Sequence, residues 1–206
     1  KFYLIFACQL ILLAQLTESF CANPPVTGPA VTTLAPTNMN ILSVRGRGQI
    51  TSTNGFNATN RGVVIYSYTD TDKIIGESGV TNFSADGDFG TGSYNLLCTG
   101  LSANMHYNIR AHATNPNGTG YGSRMDFWTL AKAPSAPEAR NATLSTLDLV
   151  VMENGNPAGT EYCITESGGM YVQSDGSLGV SPYWQSAALW YTVTITRLTP
   201  NSGYTF

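Results

Sequence analysis

Residues 101–129, LSANMHYNIRAHATNPNGTGYGSRMDFWT, set the register that every neighbouring strand has to match. From His106 to Thr114 the side chains alternate, with Tyr107, Ile109, Ala111 and Ala113 on one side and His106, Asn108, Arg110 and His112 on the other. That period of two is the mark of a half-buried strand. Residues 116–120 break the pattern with two glycines and an Asn-Gly pair, and residues 121–129 resume an extended, aromatic-rich segment. The whole reads as a hairpin turned at Asn117-Gly118 and closed by Phe127 and Trp128. Leu101 lies six positions before Tyr107, and the tail repeats this spacing in Leu198-Thr-Pro-Asn-Ser-Gly-Tyr204. The copies are separated by about the length of one small β-sandwich domain, so two domains are expected.

A Leu followed six residues later by a Tyr at a strand start, with Ala113-Thr114-Asn115 and Gly118-Thr119-Gly120-Tyr121-Gly122 downstream, resembles the fibronectin type III fold of bacterial surface and secreted proteins. The resemblance covers most of residues 30–206. It implies an all-β chain of two tandem immunoglobulin-like or fibronectin type III sandwiches. In each, a tyrosine (Tyr107, then Tyr204) would bond back to nearby backbone beneath its upstream leucine (Leu101, then Leu198). From Asn156-Pro157-Ala158-Gly159-Thr160-Glu161-Tyr162 onward the chain is similar to a second, distinct bacterial version of the family. The fold implies no particular activity, because this sandwich serves unrelated tasks.

Of the 206 residues, 11% are charged and 42% hydrophobic, with a formal charge of −3. Nothing here builds a basic field for a phosphate backbone, so nucleic acid is not an expected partner. Residues 2–16 form an apolar run behind Lys1 and are followed by Thr17-Glu18-Ser19-Phe20-Cys21-Ala22. A run this short, flanked in this way, reads as a secretory signal peptide over residues 1–22, since a membrane span needs roughly 20 apolar residues. A lipoprotein anchor would need a Cys directly after the run with a small residue before it, and Cys21 follows Phe20. The product is therefore expected outside the cytoplasm, secreted or at the cell surface, without a stable membrane span after cleavage. Residues 23–29 make a proline-rich leader, 30–130 the first domain, 131–137 an Ala/Pro linker, and 138–206 the second. The chain lacks an initiator Met and stops at Phe206 as the second tyrosine-bearing strand begins, so the second sandwich is expected to lack its last strands.

Other strands are expected over 30–34, 41–51, 61–68, 94–101, 142–152, 159–165 and 191–197, with a loose stretch at 70–88. In the strand 41–51, Gly46 and Gly48 fall on the same face as Val44 and Ile50, which points to a bulge or a close backbone approach. Cys98 and Cys163, one per domain, read as packing thiols. The cysteine count excludes a disulfide scaffold, and ligand spacing offers no zinc site.

Catalysis needs converging acids, bases or nucleophiles, and few are offered. His106 and His112 lie roughly 20 Å apart along one strand at about 3.3 Å per residue and read as two solvent-facing side chains. Asp70-Thr-Asp72 and Asp86-Gly-Asp88 lack the longer ladder of a calcium loop and read as turn acids. Asn57, Asn82, Asn117 and Asn141 head Asn-X-Ser/Thr triplets, which are glycosylation acceptors in a eukaryotic secretory pathway and in a bacterium the ordinary Asn and Thr content of β-turns. No catalytic residue, metal or cofactor is assigned. Tyr171, Tyr183, Trp184 and Trp190 form the one aromatic group suited to stacking on sugar faces, with core packing of Trp184 and Trp190 as the competing reading. The expected function is a non-catalytic spacer or adhesion module, its partners being other domains of the same polypeptide and an extracellular protein or glycan. The alternative is an accessory or carbohydrate-binding part of a secreted polysaccharide-degrading enzyme.

Overall fold

The computed structural model describes residues 27–206, so the export segment expected over 1–22 lies outside the described residues. The first unit has eight strands: β1 (Ala30–Thr37), β2 (Ser43–Ser52), β3 (Ala58–Ser67), β4 (Thr81–Phe89), β5 (Gly92–Thr99), β6 (His106–Asn115), β7 (Gly118–Tyr121) and β8 (Met125–Trp128). They form two antiparallel sheets, one ordered β1-β2-β5 and the other β4-β3-β6-β7, with β8 pairing the first half of β6. This is the strand arrangement of an immunoglobulin-like, fibronectin type III sandwich. Its core is drawn from the inner faces of both sheets and holds Val44, Ile50, Val63, Ile65, Tyr94, Cys98, Ile109, Ala111 and Phe127. Cys98 is fully buried, and burial pushes its thiol up to about 11.

The glycines of β2 have a physical reason. Residues 43–50 alternate strictly between half-buried and buried, with Gly46 and Gly48 on the buried side. A Cβ on Gly48 would stand 2.5 Å from Tyr94 Oη and 2.6 Å from Ala111 Cβ. The Tyr94 ring from β5 fills the space that Gly48 leaves, and its hydroxyl donates to the His112 carbonyl at 2.8 Å, while Val63, Cys98 and Ile109 fill the space beside Gly46. The close approach is the outcome here; the β2–β5 ladder runs without a register shift.

Several expectations change. The stretch 70–88 read as loose contains β4, which pairs β3 over Ala58–Ile65. β6 is buried on both faces, because Asn108 and His112 on its outer side are as inaccessible as Ile109 and Ala111 on its inner side. The cover is the segment between β3 and β4, which folds back over the sheet. Arg110 Nη1 donates to the Lys73 carbonyl and pairs with Asp72 at 3.6 Å, while Asn108 Nδ2 donates to the carbonyls of Ser67 and Tyr68. His112 is not solvent-facing, being covered from β4 and β7. Its Nε2 lies 2.8 Å from Asn82 Oδ1, and Tyr121 sits beside its ring.

The second unit holds β9 (Ser135–Arg140), β10 (Leu147–Met152), the two-residue strands β11 (Glu161–Tyr162), β12 (Tyr171–Val172), β13 (Leu178–Gly179) and β14 (Gln185–Ser186), a single helical turn α1 (Ala187–Trp190), and β15 (Thr192–Ile195). β9 begins inside the stretch read as linker. Pro137 is accommodated because β9 is an edge strand, paired only with β10. The sheet β15-β10-β9 supplies Leu149, Val193 and Ile195 to a second core, and the irregular layer opposite supplies Tyr162, Ile164, Val172 and Trp190. Asn104 Nδ2 donates to Thr160 Oγ1 at 2.7 Å, and Lys132 N donates to Asn156 Oδ1, so side chains tie the first unit and the connecting residues to the second.

Candidate functional site

On a sheet face the side chains of one register row stand side by side. His106 is the Cα partner of Trp128 across β6–β8, and the backbone N–H of Tyr68, just past the end of β3, donates to the His106 carbonyl. Rings from β6, from β8 and from the residue that follows β3 are thus brought into one row on the outer face. Tyr68 stacks on His106 with centroids 3.6 Å apart, and His106 stacks on Trp128 at 4.4 Å, both at an interplanar angle of 15°. The outer members stay open, Tyr68 being 50% exposed and Trp128 55%. His106 Nε2 lies 2.8 Å from Asp126 Oδ2, so the central ring is held in place by a carboxylate as well as by its neighbours.

The next row inward is polar, with Tyr66 and Asn108 closed over and Asp126 open. Tyr66 pairs Asn108, which pairs Asp126. Tyr66 Oη and Asn108 Oδ1 are buried without a hydrogen-bond partner, and burial raises the Tyr66 hydroxyl above the usual phenol range. Arg124 and Arg110 both reach Asp72 at 3.6 Å, pinning the covering segment over this row. The site is therefore a rigid aromatic edge beside a buried polar floor. It can stack and accept hydrogen bonds.

The residues expected from sequence fall in several places. Tyr107 Oη accepts from the Ser102 backbone N–H at 3.0 Å, and Tyr204 Oη from Thr199 N–H at 2.8 Å. Leu101 is buried in the first unit, and Leu198 packs against the second core. Each tyrosine also stacks on a phenylalanine, Tyr107 on Phe127 and Tyr204 on Phe206. Of the aromatic group in the second unit, Trp190 is 2% exposed and its Nε1–H donates to the Tyr162 carbonyl at 2.9 Å. Tyr183 meets it edge-on. Tyr171 is half-buried on β12. Trp184 is 58% exposed, so core packing holds for Trp190 and not for Trp184. Tyr68, His106 and Trp128 were not singled out as a group by sequence. The signal was available, since alternation puts Trp128 outward once Phe127 is inward.

A cleft of about 300 Å³ lies between Ser135–Pro137, Val151, Met152 and residues 162–165, with Cys163 and Phe206 on its walls and no charged lining residue. Among the described residues no three His, Cys, Asp or Glu side chains gather at metal-binding distance. Among the described residues no helix is long and apolar enough to cross a membrane.

No protein-family model matches the chain, and no curated protein matches it. Among solved structures, the chain is similar to a two-domain fibronectin type III segment from chicken tenascin, with 10% identity, a TM-score of 0.47, and coverage of 84% of this chain and 86% of that one. It is also similar to the sensor domain of the anti-sigma factor RsgI4 in Pseudobacteroides cellulosolvens. The shorter form of that domain gives 13% identity, a TM-score of 0.40, and coverage of 52% of this chain and 99% of that one. The longer form gives 11% identity and a TM-score of 0.38, covering 56% and 97%.

Proposed function

We propose that this chain is a non-catalytic interaction module of an exported, surface or secreted protein, and that the outer face of the five-stranded sheet in its first sandwich is the contact surface. The observation that carries this reading is the exposed Tyr68–His106–Trp128 stack. Large aromatic side chains left open in a group mark interaction sites, and rings already held in place lose little rotamer freedom when a partner arrives. The hydrophobic segment 2–16 supports the export part of the reading. A second reading, an accessory carbohydrate-binding part of a secreted polysaccharide-degrading enzyme, is favoured by the exposure of Trp184.

The test is retention of the full chain on a printed array of extracellular matrix proteins and of neutral and acidic glycans. The module reading expects saturable retention on at least one class. Uniform absence of retention would overturn it and leave a passive spacer.

A further inference from the structure

We infer that the open indole face of Trp128, with the Asp126 carboxylate beside it, is a stacking subsite for a neutral pyranoside. This rests on the interaction-module reading and names the ligand class for the same surface. Trp128 has one face against His106 at 4.4 Å and is still 55% exposed, so its opposite face is the open one. β8 pairs only β6 among the described strands, so no further strand stands beyond the indole. A flat, accessible aromatic face at a sheet edge suits a saturated ring whose C–H groups lie bare on one side, because a weakly polarised C–H array meets the negative face of the π-system.

The polar groups fit the same ligand. Asp126 lies two residues before Trp128 on the same strand face, about 7 Å away along the strand. Its Oδ2 is engaged by His106 Nε2 at 2.8 Å, and Oδ1 has no partner among the described residues. The Asp126 side chain is 56% exposed, so Oδ1 is an accessible acceptor within reach of hydroxyls on a ring seated over the indole. A carboxylate at this place favours hydroxyl donors and repels uronate or sulfate groups, which selects a neutral sugar. Pre-stacking of Tyr68, His106 and Trp128 means that little conformational freedom is lost on binding.

The experiment is a titration of the full chain with cellohexaose, whose equatorial substituents leave both ring faces bare, and with a galacturonate hexamer of matching size. Binding is followed by indole NMR signals and calorimetry. The wild type should bind cellohexaose and not the galacturonate. Trp128→Ala should weaken binding at least about tenfold, Trp128→Phe should stay within about threefold and serves as the folded control, and Trp184→Ala should change nothing. Asp126→Asn should weaken cellohexaose binding and reduce discrimination against the galacturonate. Silence toward cellohexaose, equal affinity in Trp128→Ala, or loss in Trp184→Ala instead would overturn the inference. If cellohexaose is silent while Trp128→Ala still abolishes retention on the array, the pyranoside assignment fails and the module reading stands. If the array is silent as well, both fail.

Discussion

His112 shows how one residue reports on the layer above it. Burial holds its imidazole down at about 4, against an ordinary value of 6.5. Nε2 faces Asn82 Oδ1 as a donor, and Nδ1 is buried without a partner, so the neutral ring fits and a second N–H would be left unsatisfied. The unfolded chain therefore takes the proton more readily. Stability is full above pH 6.5 and is lost as pH falls toward 4, by up to about 3 kcal/mol from this group. Urea unfolding of wild type and His112→Gln at pH 7 and pH 4 should show the wild-type advantage shrinking by about that amount. A pH-independent difference would mean that the ring is not covered as described. The alternation in residues 106–114 located this side chain on the outer face. Its burial was not legible, because the covering contacts come from Asn82 and Tyr121, which lie on other strands and carry no period linking them to β6.

At the scale of elements, the long strands were readable and the short ones were not. β2 and β15 alternate with the core on one side, and β6 alternates in side-chain type although both of its faces are covered; these patterns are visible in the residues themselves. β11 to β14 are two residues each, too short to show any period, and they hold together through the core beneath them. Trp184 and Trp190 are six residues apart in this region and have opposite fates. The turn α1 carries Trp190 inward to the Tyr162 carbonyl, while Trp184 precedes β14 on the open side. Trp190→Ala should cost about 3–5 kcal/mol of stability in urea unfolding, and Trp184→Ala should stay within about 0.5 kcal/mol. Equal costs would contradict this placement. The Tyr107 and Tyr204 spacing was legible because the leucine, the turn and the tyrosine are local, and in both places the hydroxyl accepts from the backbone five residues upstream.

For the whole molecule, two cores lie along one chain, and the first unit carries an aromatic row that its own core does not need. Phe127 and Tyr107 pack inward as the register pair next to Trp128 and His106, which point out. A row that served packing alone would be covered, as the adjoining Tyr66–Asn108 row is. The candidate site was hidden from sequence because its three rings come from β6, β8 and the residue after β3, and only the pairing of these segments puts them together. The most direct measurement compares the full-length wild type with the Tyr68→Ala/Trp128→Ala double variant for retention on the protein and glycan array, with thermal melting recorded for both. The account predicts that retention disappears while the melting temperature changes little; undiminished retention in the double variant would contradict it.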